Sequence, residues 1–512
     1  MSGGRTLRLG ALAVLLAISA CAGPPERAAT TRGNTITIVC DPALCGGPFG
    51  DTRSLLFLSL TTGDVLEGGE PKPLLAERWE HSADYREWTI HLRSGVRWHD
   101  GRPVTARDIE FTLRLWAHPD VLRPQAGALE SATALDDSTV RIRYSKPSRA
   151  PLASGTVYYP RHILEGLEPR TFSEWDFWRQ PTVGNGPYRL VRHVPETLME
   201  LEANPDYYGG KPEIERVILK YATPMITELL SGEVDVIHVI EQAAIPRLVR
   251  DSRFRVYYQV IPYARIQILW NQRHVPFRDA AVRRALTMAL DRRELHRTLN
   301  LPGDLPLTEG IFTVEQYRQG DLVAPLPFDP EAAKVLLDAA GWRVGHDGVR
   351  ERGGVPFRFS LLVSGGGYLG QPAQGAVLIQ EQLRRVGVRV DIEQRQVLAT
   401  LDRVRAGQFE AAIWSTGGGP ERDADFFGRG SFIGYSNSRV VELLDSAIAN
   451  PDIAAQNRFY RELAIIFRED VPATFLYPKV DAHAAHRRVQ GLESPYRGDP
   501  FWFLARLRLE EQ

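Results

Sequence analysis

The sequence predicts a mixed α/β protein. Three observations lead there. Segments with apolar residues at every second position alternate with segments of helical period, two helices run directly into strands, and no repeat or low-complexity run breaks the pattern after residue 33. At 512 residues, with 43% hydrophobic and 24% charged residues, the chain suffices for roughly two to four domains or one large two-part body with a deep cleft. The formal net charge is -1 and no basic stripe stands out, so nucleic acid is not expected as a partner.

The chain opens with MSGGRTLRLGALAVLLAISAC, in which Arg5 and Arg8 precede an apolar run from Leu9 to Ile18 and small residues before Cys21. About ten apolar residues is half of what a bilayer span requires. Charged, apolar and small regions in that order make a secretory signal. The ending Ile18-Ser19-Ala20-Cys21 resembles a bacterial lipobox, so residues 1–21 are expected to end at a lipidated Cys21. Residues 22–33 are rich in Pro, Ala and Thr and read as a flexible tether reaching at most roughly 40 Å. The expectation is an exported protein held at a membrane surface. Cys40 and Cys45 are the remaining cysteines. In an exported chain so close a pair points to a disulfide closing a small loop, the alternative being two free or metal-binding thiols.

Strand periodicity then appears in EWTIHLRSG, TVRIRY and ERVILKYA, with Trp88 to Trp98 reading as strand. Helices are predicted at Asp279 to Leu299, Asp329 to Gly341 and Ala376 to Gly387, the last two closing on Gly. AVLIQEQLRRVG followed by VRVDIEQ, and LATLDRVRAG followed by FEAAIW, are α/β units. The stretch GVRWHDGRPVTARDIEF sets His99 beside Asp100 and invites a catalytic reading. Asp-Gly supplies a reversal, and Thr105 with Asp108 forms a capping-box start for a helix with Ile109, Thr112, Leu113 and Trp116 on one face. Adjacent residues in a turn seldom have the geometry of a base and its orienting group, so the stretch is read as architecture.

Several phrases together resemble the family-5 extracellular solute-binding proteins, the peptide-type receptors of ABC importers. They are PLLAERWE, LRSGVRWHDGRPVTARDIEFTL, VGNGPYRL, NPDYYGGKPEIERV, LLSGEVDVI, PFRDAAVRRALTMALDRREL, FDPEAAKVLLDAAGW and GYSNSRVVELLDSA, running in register from about Thr35 to beyond Tyr477. The resemblance implies a two-lobed, periplasmic-binding-protein-like (Venus-flytrap) α/β fold whose first lobe is discontinuous. By analogy the first lobe is 34–261, with an inserted subdomain at about 56–171, the second lobe is 262–476, and 477–512 returns to the first. Crossings are expected near Ile261-Pro262-Tyr263 and Leu476-Tyr477-Pro478. The implied role is a monomeric, non-enzymatic receptor without cofactor, capturing a small peptide or polar solute and delivering it to ABC permease subunits.

In open α/β sheets ligands gather at the C-terminal ends of strands. Three such ends match the family's pocket positions: Cys40-Asp41, His238 to Glu241, and Trp414 to Gly419, with Ser415, Thr416 and Gly417 between. Tyr477 on the return crossing is a fourth candidate. Trp414 is suited to stacking on a planar or apolar ligand group. Many peptide-binding members carry an Asp a few residues after this Trp, where it meets the ligand's α-amino group. Here Gly419 stands near that place, which puts a free-amine peptide in doubt because a buried ammonium needs a counter-charge. Asp41, Glu241 or the shifted Asp423 are the candidates to replace it. Two other classes compete, a secreted hydrolase or phosphate-handling enzyme and a metal-chelate receptor. SGGGYLG and TGGGP are Gly-rich but lack the Lys-Ser/Thr ending of a phosphate loop, and no GxSxG or HExxH occurs. HAAH, with His483 and His486 at i, i+3, keeps open a metal-chelate (nickel or metallophore) receptor.

Overall fold

The computed structural model describes residues 34–510 apart from 41–51, 63–70, 122–127, 154–155, 222–224, 239, 241, 303–304, 308, 311–322, 366–371, 418–419, 451 and 493–503. Cys21, Asp41, Cys45, Glu241 and Gly419 lie outside the described residues, as do the segments 1–21 and 22–33.

Strand β1 (Thr35–Cys40) begins the fold and buries Ile36 and Ile38. A separate four-stranded antiparallel sheet follows, built from β2 (Ala76–His81), β3 (Glu87–Leu92), β4 (Leu129–Ala134) and β5 (Thr139–Tyr144) in the order β2-β3-β5-β4. Helix α1 (Ala106–Ala117) packs on it through Ile109, Leu113 and Trp116. Trp88, Ile90 and Leu92 are buried, as their alternation requires, but the strand stops at Leu92 instead of continuing to Trp98. Gly95 adopts φ +78°, which turns the chain before the second reversal at Gly101, φ +86°.

That second turn settles the place of His99. Its Nδ1 accepts from the Gly184 amide at 3.0 Å and its Nε2–H donates to the Gly186 carbonyl at 3.1 Å. Asp100 looks elsewhere, accepting from His162 at 2.8 Å. The phrase VGNGPYRL is thereby explained. A Cβ on Gly184 or Gly186 would strike the carbonyls of Leu56 and Leu55, and Asn185 between them accepts from the Leu58 amide at 2.8 Å. Asp108 accepts from the Thr105 amide at 2.8 Å, closing the helix start, and from the Arg161 amide at 2.9 Å.

The main sheet has ten strands. Its remaining strands are β6 (Tyr188–Val194), β7 (Leu198–Ala203), β8 (Arg216–Tyr221), β9 (Val236–Ile237), β10 (Phe254–Trp270), β11 (Arg358–Gly365), β12 (Arg389–Gln396), β13 (Ala411–Thr416) and β14 (Ala473–His486). They run in the order β12-β11-β13-β10-β14-β9-β1-β8-β7-β6. One end of the sheet packs on a core containing Trp88, Trp98, Tyr188, Leu201 and Leu219, the other on Trp270, Phe277, Phe359, Leu383 and Ile413. The long predicted helix from Asp279 to Leu299 is two helices, α2 (Ala280–Met288) and α3 (Arg292–Thr298). The cause is Asp291, whose carboxylate accepts from the Glu294 amide at 2.9 Å and starts a new helix. The predicted α/β units are present: α5 (Pro372–Arg384) precedes β12, and α6 (Val397–Arg405) precedes β13, after α4 (Pro330–Ala339) capped by Asp329.

Because His99 ties the turn to the 184–186 loop through both ring nitrogens, His99→Ala should lower unfolding free energy by about 1–3 kcal/mol. Urea denaturation measures it. A loss below about 0.5 kcal/mol would remove the architectural role.

Candidate ligand-binding site

Strand directions locate the site. β1 and β9 are parallel, and β9 is antiparallel to β14. β10 is antiparallel to both β14 and β13, and β11 lies parallel to β13. The strands of the two halves therefore run toward each other. Cys40 and Ile237 end one set, Thr416 and Gly365 end the other, and both sets point at the middle of β10 and β14. There the ladder is irregular: Val260 pairs with Val480 and Arg265 with Pro478, so residues Ile261 to Ala264 face Lys479 alone. Pro262 and Pro478 carry no amide hydrogen for a ladder bond. A crevice bounded by opposing strand ends is where an α/β sheet binds ligands.

On the first side, Cys40 is a disulfide-bonded, fully buried residue. A disulfide sulfur has no proton to give, so His238 Nδ1–H donates to Cys40 Sγ at 3.2 Å. The His238 and His483 rings lie 5.1 Å apart. Burial holds the His483 imidazole down at about pKa 4, and burial, with His483 second, holds His238 well below the usual range. Both are neutral at pH 7. Asp235, just before β9, accepts from the Thr37 amide at 2.9 Å and pairs with Arg488 at 2.7 Å, fixing the strand that delivers His238.

On the second side, Trp414 and Thr416 share one face of β13 while Ser415 points to the other. Trp414 is half-buried against Phe426 at 6.3 Å, its remaining edge exposed. Gly417 is exposed, and a Cβ there would come within 2.9 Å of the Ala264 Cβ, so only glycine fits this approach to β10. Under this corner, Gln267 donates to Thr416 Oγ1 at 2.8 Å and accepts from Arg265 Nε at 3.1 Å. Arg265 Nη2 donates to Asp423 Oδ1 at 2.5 Å. Asp423 stands on helix α7 (Pro420–Phe427) and is 1% exposed, so this carboxylate faces a guanidinium inside the protein instead of the crevice. Tyr477 is likewise buried, edge-on to His296 with ring centroids 5.8 Å apart.

Arg265, Gln267, Lys479 and Asp481 did not emerge from the sequence. Their signal is strand alternation on β10 and β14: Lys479, Asp481 and His483 are spaced by two and share a face. The same alternation separates His483 from His486, which cannot chelate together from opposite faces of a strand. A cavity of about 560 Å³ opens elsewhere, beside α1, over Phe111, Leu115 and Trp175. On its rim Arg114 pairs with Glu110 at 2.6 Å and Arg161 with Glu165 at 2.9 Å.

Residues 70–435 match the bacterial extracellular solute-binding proteins, family 5. The chain belongs to this family. Among relatives of this solute-binding protein, the oligopeptide-binding protein AppA of Bacillus subtilis is 24% identical over 487 residues, covering 89% of this chain and 87% of AppA. The periplasmic oligopeptide-binding protein OppA of Salmonella typhimurium is 29% identical over 458 residues, 79% of this chain and 78% of OppA. Solved structures share the fold. AppA from Bacillus subtilis in complex with a nonapeptide superposes with TM-score 0.70 at 22% identity, over 93% of this chain and 99% of AppA. NikZ from Campylobacter jejuni in complex with Ni(L-His) gives 0.73 at 22% identity, over 93% of this chain and 99% of NikZ. The two-lobed α/β fold expected from the sequence is present.

The buried histidines give the solute-binding protein an acid-sensitive stability. His483, His99 and His296 are each held near pKa 4 with burial the largest cause, whereas in the unfolded chain they protonate near 6.5. Folding then favours the neutral ring. The contribution is complete above about pH 6.5 and drains as pH falls toward 4, at no more than about 1.4 kcal/mol per pH unit per histidine. Denaturation between pH 7 and 4 should show a shallower slope for His483→Gln than for the parent; equal slopes would disprove the burial cause.

Proposed function

We propose that this protein captures a small peptide or a peptide-like polar solute in the crevice between opposing strand ends and delivers it to ABC permease subunits, without catalysing a reaction. The observation that carries this is the opposition of strand ends, with Cys40 and Ile237 ending one set and Thr416 and Gly365 the other, which supports His238 and Trp414 as walls of the crevice. Lobes of 34–261 and 262–476, with 477–512 returning to the first, place the hinge at the irregular stretch of β10 and β14. Two lobes on such a hinge close over a ligand, and closure is a state a permease can read. Asp41 and Glu241, which follow Cys40 and His238 in the sequence, are proposed as further ligand residues, with Ser415 and Tyr477 supporting the wall from behind. Relatives lend support from names alone: AppA is described with a nonapeptide and DppA from Helicobacter pylori with the peptide STSA. A metal-chelate receptor is the second reading, resting on NikZ with Ni(L-His); the separation of His483 from His486 favours the first.

The wall at β13 offers an aromatic edge, a hydroxyl and exposed glycine backbone, while Asp423 is engaged by Arg265. An ammonium in a closed cleft loses its hydration without a carboxylate to replace it. N-acetylated peptides should therefore bind at least as well as matched free-amine di- and tripeptides. Calorimetric titration decides it, and a tenfold preference for the free amine, about 1.4 kcal/mol, would overturn the prediction.

Export and anchoring through Cys21 complete the proposal, with Cys40 and Cys45 paired. Cys21→Ser should release soluble protein or leave an unprocessed precursor; normal processing with lipid label retained would refute the anchor. Unfolded, unreduced mature protein should yield no alkylatable thiol, and two would refute the pairing.

A further inference from the structure

We propose that the cavity beside α1 is a second binding site, separate from the crevice, that takes an aliphatic carboxylate: the alkyl chain lies on the apolar floor and the carboxylate among the rim arginines. The inference stands apart from the ligand proposed for the crevice, since no residue lining this cavity belongs to the opposed strand ends.

Three segments close around the site. Helix α1 presents Arg107, Phe111, Arg114 and Leu115 on one face, opposite the face that packs on the four-stranded sheet through Ile109, Leu113 and Trp116. The second segment is the turn between β4 and β5, and the third runs from the helical turn Arg161–Leu164 to Trp175. Leu115, Leu164 and Trp175 are buried and form the floor, whereas Leu135 and Leu167 at the mouth are 47% and 42% exposed. At about 560 Å³ the cavity has the size of a small-molecule cleft. Apolar side chains left in water at the mouth of a concave apolar site are surface that a ligand chain covers favourably.

The rim carries charges of both signs, but they are not equally engaged. Glu110 accepts from the Ala134 amide at 3.0 Å and from Arg114 at 2.6 Å. Asp136 accepts from the amide and hydroxyl of Ser138 at 2.7 and 2.8 Å. Glu165 sets both oxygens on Arg161, at 3.0 and 2.9 Å. Each guanidinium, by contrast, uses a single nitrogen in its ion pair: Nη2 of Arg114, Nη1 of Arg161, and Nε of Arg107, which is 3.5 Å from Asp137. A guanidinium has more N–H donors than that, held in a plane that matches a carboxylate. The surplus on the rim is therefore one of donors, and the complementary head group is an anion with oxygen acceptors. These pairs are solvent-exposed and individually weak, so a ligand carboxylate can share them at small cost. An apolar chain ending in a carboxylate meets both halves of the site.

Decanoate, kept below its micelle concentration, is the probe. In calorimetry the parent should bind it saturably, and more tightly than 1-decanol. Leu135→Asp/Leu167→Asp changes two exposed positions and should weaken decanoate at least about tenfold. Arg114→Gln/Arg161→Gln should weaken decanoate by a similar factor and leave 1-decanol unchanged, a split that general loss of structure would not produce. Photolysis of a diazirine-bearing decanoate, read by mass spectrometry, should label residues 107–118 or 161–175. Absence of saturable binding by the parent overturns the proposal, as does equal affinity for decanoate and 1-decanol. Labelling confined to the crevice at residues 414–417, or binding to phosphatidylglycerol vesicles without binding of free decanoate, overturns it too.

Discussion

The antiparallel pairing of β10 with β14 is the constraint on which the rest of the structure depends. From Phe254 opposite His486 to Leu269 opposite Ala473, two strands carry both halves of a ten-stranded sheet. Because β13 and β9 attach on their outer sides in opposite senses, the two groups of strand ends have to face one another. The crevice is thus a result of topology before any side chain is considered. The pairing is regular toward both ends and irregular where residues Ile261 to Ala264 meet Lys479 and again between Ile266 and Gln267, which makes the middle the compliant part. Elsewhere charges reinforce rigidity, as where Asp235 ties the Thr37 amide to Arg488 across three segments.

Charge inside the crevice region is managed by neutralisation. His238 and His483 are neutral because burial penalises the imidazolium, and Asp423 accepts from Arg265 as a buried ion pair. Such a buried pair contributes little net stability by itself, since desolvation offsets the attraction, yet removing one partner costs several kcal/mol. The many surface pairs, such as Arg78 with Glu80, operate in high dielectric and are each worth less than about 1 kcal/mol.

Much of the fold was legible in local signals. Trp88, Ile90 and Leu92 alternate into the core, Thr105 and Asp108 mark a helix start, and Asp329 marks another. Two boundaries differ from the local pattern for physical reasons. Gly95 is a turn residue that looked like one more strand position, and Asp291 is a cap inside a run that looked helical throughout. The site was less legible because it depends on which distant segments meet. Nothing near Arg265 announces Asp423, which lies 158 residues away. The segment Trp414 to Gly417 was found, but alternation divides it, giving Trp414 and Thr416 to one face and Ser415 to the other. HAAH keeps two imidazoles at i, i+3, and because the segment is a strand that spacing puts the rings on opposite faces.

The central position of β14 also governs how the molecule is made. This strand comprises Ala473–His486 of a 512-residue chain, yet it is fifth from one edge of the ten-stranded sheet and sixth from the other. While the chain is being synthesised, β10 and β9 are both left with an unpaired ladder edge, and the sheet cannot join into one until Ala473–His486 appears. A partner of such high sequence separation must be awaited at considerable entropic cost, so folding is slow and its closing step falls late. A polypeptide that withholds its keystone strand keeps its two strand groups unjoined until that strand arrives, so the crevice between them is the last part of the fold to take shape.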